Sequence, residues 1–259
     1  MIIHSNPTFL TTTADWIIQN TVRTLTGAFQ HGGDLVEEIW ADTIFMVVVF
    51  LAQLARLSGE QIYAQEAAQQ LLLHLQYPQD QQTGVLFHGY NCERQSHYSG
   101  ARWTRGNAWI VLGTPLILAE INGMIPVPAE ILERYQRLVD GVLSFQASNG
   151  LRPTVMDQPN YYQETSGSAG IACGILKSIR QGYLSPTPYL PAIEKTVSGV
   201  LKKISHQGAV IGVSGGTPIM ETIEGYNKLS CYPALYGQGL ALMLLVEYLL
   251  LSARQNGDA

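Results

Sequence analysis

Charge is scarce in this sequence: Lys, Arg, Asp and Glu make up 14% of the 259 residues, the formal net charge is −5, and basic side chains nowhere cluster. That excludes the footprint of a nucleic-acid binder, which concentrates Lys and Arg on one stripe or face. Cysteine is nearly missing. Cys92, Cys173 and Cys231 form an odd, widely spaced set without a C-x-x-C pair, which excludes a disulfide framework or a zinc knot and points to reduced thiols. The phosphate loop, the nucleophile elbow, H-E-x-x-H and the dinucleotide glycine fingerprint are also absent. GVSGGTP at residues 212–218 lacks the lysine and the strand-to-helix setting of a phosphate loop. No cluster with metal-ligand spacing is visible. The first residues show no basic segment followed by an apolar one, and the most apolar runs, residues 44–52 and 241–251, are too short or interrupted by Glu247 for a bilayer. The expectation is a cytoplasmic protein with no membrane partner.

What the sequence does have is apolar residues, 46% of the chain, enough for one sizeable core and a single domain over residues 1–259. Helical periodicity dominates and strand signals are weak. Helices are expected over residues 15–24, 43–57, 60–76, 106–122, 128–147, 167–182, 189–205 and 235–254, with a glycine-bearing loop through residues 27–40. Gly27, Gly84, Gly150 and Gly208 each follow a helix and open a short β-prone stretch, at spacings of about 60 residues. Each stretch leads into a polar loop, then a more apolar helix, then a more amphipathic one. Helices apolar all round belong inside, and those with a polar stripe outside. Two such layers make an open solenoid or a closed toroid. Solenoid units usually run to fewer than about 50 residues, so the long unit favours the toroid. All the loops precede inner helices and gather at one end of the ring, where a cleft belongs.

Those loop ends are dense in polar and aromatic residues: His31, Trp40 and Asp42; His88, Tyr90 and Asn91; Trp103, Arg105, Asn107 and Trp109; Tyr161, Tyr162 and Glu164; then Tyr226, Asn227, Tyr236 and Gln238. Aromatic faces stack on sugar rings while Arg, Asn and His reach hydroxyls and carboxylates, the make-up of a ligand cleft. Each residue also has a structural reading. Asp42, directly before an apolar helix, serves equally as an N-cap or as an acid. Arg105 beside two tryptophans suits a stacked structural cation. His31 and His88 suit ordinary loop histidines, and Glu164-Thr165-Ser166 suits a capping segment.

The segments FQH (29–31), IWADTIFM (39–46), LFHGY (86–90), WTRGNAW (103–109), YYQETSGSA (161–169), GVSGGTPIM (212–220) and YGQGLALM (236–243), in this order, closely resemble the unsaturated rhamnogalacturonyl hydrolases, glycoside hydrolase family 105. A more distant likeness is to unsaturated glucuronyl hydrolases. The resemblance runs from about Gly27 to the end of the sequence. It implies an all-α (α/α)6 toroid and removal of a 4,5-unsaturated uronic acid from oligosaccharides, as in pectin degradation, by hydration of its double bond. It places Asp42 as the catalytic acid/base. Substrate binding falls to His31, Trp40, His88, Trp103, Arg105, Trp109, Glu164 and Tyr236, with no metal or cofactor, and the partner is an unsaturated uronyl oligosaccharide.

The sequence departs from that pattern in two ways. About four of six inner helices are visible, beginning near Asp42, Arg105, Gly167 and Leu235, so the toroid is expected to be incomplete, short of roughly two hairpins on the N-terminal side. Asn91 stands where the family commonly has an acid. An open ring leaves apolar edges that a homodimer would cover. Two other functions therefore stay open: a truncated remnant acting as a binding or interaction module, and a sugar epimerase on the same scaffold.

Overall fold

The computed structural model describes residues 7–32 and 36–255. The reading of the extreme N-terminus, and the centre of the loop through residues 27–40, lie outside the described residues. Helices dominate, as expected. They are α1 (Pro7–Asn20), α2 (Val49–Ser58, entered through a π-helical turn over Ile44–Val48), α3 (Gln61–Gln76), α4 (Thr104–Ile121), α5 (Ala129–Ser144), α6 (Thr165–Arg180), α7 (Leu190–Leu201), α8 (Ile223–Asn227) and α9 (Leu235–Gln255). Two short antiparallel ribbons join loops: β1 (Glu38–Trp40) with β2 (Gly89–Asn91), and β3 (Arg152–Pro153) with β4 (Gln163–Glu164). The first helix lies earlier than the expected 15–24, because Arg23 is taken by a bridge to Phe29 and the helix ends before it.

The four expected turn glycines form one recurring device. Gly27, Gly84, Gly150 and Gly208 all have positive φ, between 79° and 89°, a conformation open chiefly to glycine. Around each, the chain folds back on itself: Arg23 bridges Phe29, Gln79 bridges Leu86, Ile204 bridges Val210, and the N–H of Ala147 bonds the Leu151 carbonyl. Outer helices α1, α3, α5 and α7 run into these turns, and inner helices α2, α4, α6 and α9 leave them. The inner helices pack side by side in that order, with α3, α5 and α7 behind them.

The tightest seam lies between α4 and α6. A Cβ on Gly167 would stand 2.8 Å from the Arg105 nitrogen, and one on Gly174 would stand 2.3 Å from the Val111 carbonyl oxygen. The small-residue face of α6 therefore lets two backbones nearly touch. Pro115 inside α4 withholds the donor that the Val111 carbonyl would take. The Tyr135 hydroxyl of α5 donates to that carbonyl instead, at 3.0 Å.

Helix α9 needs one correction. The stretch Leu235–Ala253, with mean hydropathy 1.5, is long and apolar enough by length and composition to cross a membrane, which the shorter run read from sequence is not. In this structure it closes the inner row against α6. There the Glu247 carboxylate meets Lys177 at 2.7 Å and Arg180 at 2.9 Å.

Candidate active site

The site is assembled where the loops preceding inner helices meet. Pairing of β1 with β2 sets Trp40 opposite Gly89, which delivers Asp42 and His88 to the same spot. A Cβ at Gly89 would meet the flexible end of the Ile219 side chain at 2.3 Å and the Ile39 carbonyl oxygen at 3.1 Å. Asp42 opens the helical segment that continues into the π turn Ile44–Val48, a local widening that recurs at functional sites.

Two buried polar atoms then face each other without partners. Asp42 Oδ2 has no hydrogen bond, nor has His88 Nε2, and they lie 3.6 Å apart. The Asp42 carboxylate therefore makes no cap bond through Oδ2. Thirteen buried side-chain atoms among the described residues are without partners, and these two are a pair facing each other. The Asp42 side chain is 16% exposed whereas His88 is 2% exposed, so the carboxyl is the member of the pair that can meet a ligand.

Aromatic rings wall this pair. His31 stacks on Trp40 with centroids 4.4 Å apart and planes 13° from parallel. Trp40 meets His88 edge-on at 5.4 Å, and His88 lies 4.2 Å from Trp103. The Trp40 indole N–H is anchored on Glu38 at 2.8 Å, and His31 Nδ1 is paired with the Thr43 hydroxyl at 3.0 Å. Burial pulls the His31 pKa below its ordinary value, outweighing the nearby Asp42 charge, so this ring is neutral near pH 7. An aromatic wall with one partly open carboxyl suits a sugar-sized ligand.

Arg105 and Glu164 form a buried cluster beside this pair. The Arg105 guanidinium is clamped between Trp103 at 4.7 Å and Tyr236 at 4.6 Å. It donates to the carbonyls of Ser214 and Gly215, each at 2.8 Å, and to the Thr217 hydroxyl at 3.1 Å. Glu164 is fully buried: its carboxylate caps α6 through the Gly167 N–H, takes the Ser166 hydroxyl at 2.7 Å and the Ser214 N–H at 3.1 Å, and lies 3.6 Å from Arg105. The polar atoms of both hold the 214–217 loop beside the site. Tyr236 joins them by donating to the Ser214 carbonyl. Trp109 is buried against Phe45 at 4.8 Å in the main core. Its neighbours are apolar, unlike those of His88.

Tyr226 and Ser214 were not singled out as site residues, yet both belong here. Tyr226 is fully buried, with its hydroxyl 2.7 Å from His88 Nδ1. It stands in the loop-end set visible in the sequence, but a separation of 138 residues carries no local signal that it pairs with His88.

Comparison with known proteins places the chain in a family. The sequence matches the family model Glycosyl Hydrolase Family 88 over residues 7–252. It is 30% identical over 254 residues to the unsaturated rhamnogalacturonyl hydrolase YesR of Bacillus subtilis strain 168, covering 96% of this chain and 67% of that protein. A crystal structure of a possible member of the GH105 family from Salmonella enterica superposes with TM-score 0.88 at 32% identity, covering 94% of this chain and 66% of that one. The unsaturated glucuronyl hydrolase of Bacillus sp. GL1 superposes with TM-score 0.71 at 19% identity, over 92% of this chain and 67% of that one, and at that identity shares the fold alone. The fold is that of the α/α toroids, with four helical hairpins among the described residues, and the chain spans about two thirds of the length of these relatives.

Proposed function

We propose, from the premise that the chain belongs to glycosyl hydrolase family 88, that it removes a 4,5-unsaturated uronic acid from the non-reducing end of an oligosaccharide by hydrating the enol-ether double bond. One observation carries the reading: an unpartnered, partly open Asp42 carboxyl set against His88 inside an aromatic wall. Protonated Asp42 gives its proton to C4 of the unsaturated ring while positive charge develops at C5. A water then adds through oxygen to C5 and returns a proton to the carboxylate. The resulting hemiketal opens to a C5 ketone, leaving C1 as a hemiacetal that expels the linked sugar as an alcohol. One carboxyl acts in both directions, so no second carboxylate at glycosidase spacing is required.

Trp40 and His31 supply a flat wall for the ring. Arg105, held by its carbonyl acceptors, keeps the 214–217 loop in place and adds positive potential near the uronate. This reading supports galacturonyl or glucuronyl substrates alike. A second reading, an interaction module that works only with a partner copy, is favoured by the apolar residues left open on α9, among them Leu242 at 55% and Leu249 at 66% exposure.

The test follows the ultraviolet absorbance of the double bond with unsaturated uronyl-rhamnose and uronyl-hexosamine disaccharides. Wild type should bleach one of them, and Asp42→Asn should be slower by about 10²–10⁴-fold, the scale of general acid catalysis. A folded protein that bleaches neither and sediments as a dimer would replace the first reading with the second.

A further inference from the structure

The two ring nitrogens of His88 face different partners, and those partners bear on which of them carries a hydrogen. The ring is fixed between Trp40, Trp103 and Tyr226, so rotation is blocked and each nitrogen keeps its neighbour. Nδ1 lies 2.7 Å from the Tyr226 hydroxyl, while Nε2 looks at Asp42 Oδ2 across 3.6 Å. The Tyr226 oxygen already accepts the backbone N–H of Met220 at 3.2 Å. The Ser99 hydroxyl also approaches Tyr226 and can serve as a further donor. With the Met220 N–H already donating to it, the phenol can give its own hydrogen to Nδ1, the ring nitrogen 2.7 Å away. The opposite tautomer would turn a bare Nε2 lone pair toward the Asp42 carboxylate oxygen 3.6 Å away.

We propose that Tyr226 is a positioning residue that locks His88 in the Nε2–H tautomer, so that the imidazole presents a hydrogen-bond donor to Asp42. The Tyr226 phenol is suited to the task, because burial pushes its pKa up to about 12 and keeps its proton in place. For catalysis the inference rests on Asp42 being the acid. With Oδ2 taken by Nε2–H, the transferable proton stays on the other carboxyl oxygen, and the same N–H stabilises the carboxylate once that proton is gone. The 3.6 Å gap closes as a ligand presses on Asp42; catalytic hydrogen bonds are often long before substrate binds.

The decisive measurement is the tautomer itself. Histidine side-chain nitrogens of ¹⁵N-labelled protein are read near pH 7 by long-range proton–nitrogen correlation, with His88→Gln identifying the His88 signals. The expected result is a bare Nδ1 and a protonated Nε2 in wild type, shifting to an averaged or reversed pattern in Tyr226→Phe. A protonated Nδ1 in wild type overturns the proposal without any variant, and so does a pattern that Tyr226→Phe leaves unchanged. This readout needs no turnover, so it stands apart from failure of the hydrolase reading, which the Asp42→Asn assay tests. If wild type turns over, Tyr226→Phe should lower kcat by about 10–100-fold, the scale for losing a group that orients a functional histidine, with KM within about twofold.

Discussion

Helices α4 and α9 have nearly the same apolar character and opposite fates. Every residue of α4 from Thr104 to Pro115 is buried, because α2 and α6 flank it and α5 covers its back. In α9, Leu242, Val246 and Leu249 are each more than half exposed, and Leu235 is 92% exposed. The other end of the arc repeats this pattern, with Phe9, Trp16 and Met46 open. Apolar composition thus states what a helix can be covered by, and its place in the row decides whether it is covered. The proposed chemistry lies with the covered helices: Asp42 and His88 sit where the loops leading to α2 and α4 meet.

The sharpest break of this contrast comes from two mid-helix glycines. Gly174 faces a backbone carbonyl that cannot give way, so Gly174→Leu should separate α6 from α4 and cost more than about 3 kcal/mol, at or beyond the usual overpacking range. Chemical denaturation would show it as a large fall in midpoint, or as failure to fold. A melting curve like that of the wild type would mean that the α4–α6 seam is looser than the 2.3 Å approach implies.

A second prediction concerns acid. Burial alone would raise the Asp80 pKa, but the Thr83 hydroxyl, the Gln82 N–H and the Arg102 guanidinium outweigh it and bring it to about 2. A carboxyl whose folded pKa is depressed adds stability that is fully present above its unfolded pKa, about 3.9. That stability is lost as pH falls toward 2, and at this shift amounts to about 2 kcal/mol. Asp80→Asn should therefore be less stable than wild type by about that amount at pH 6, with the gap closing near pH 2. Glu247 is displaced in the same direction: burial raises it, and the bonds from Arg180 and Lys177 more than compensate. The pin holding α9 to α6 should thus also weaken in acid. A gap that stays constant from pH 6 to 2 would assign the Asp80 effect to packing.

The periodic part of this architecture was legible in the sequence. Turn glycines, helix order and the inner–outer alternation follow from local patterns, and the two layers came out as read. Asp42, His88, Trp40 and His31 also converge, because all lie on the loops that lead to neighbouring inner helices. What local pattern could not convey was commitment. Arg105 and Glu164 are of the right chemical type for a uronate site, yet their donors and acceptors are consumed by Ser214, Gly215 and the start of α6. Only the three-dimensional pairing reveals that, as it alone joins Tyr226 to His88. The membrane-like length of α9 was missed because Glu247 was read as an interruption, when it is the anchor to the neighbouring helix.

The smallest effect should come from Gly239, and it has the opposite sign to that of Gly174. Gly239 lies in α9, and a Cβ placed there would meet nothing within 4 Å. Replacing a helical glycine by alanine in open space reduces the entropy lost on folding and is worth about 0.5–1 kcal/mol. Gly239→Ala should therefore raise the melting temperature slightly and leave any hydrolysis of unsaturated disaccharides unchanged. Both glycines sit on inner helices, so the residue replaced and the helix class are held constant, while the neighbour and the size of the new side chain differ. If Gly239→Ala instead destabilised the protein, or did so only at concentrations where it associates, the open face of α9 would be occupied in solution. The difference between the two ends of the seam would then belong to the isolated arc rather than to the working molecule.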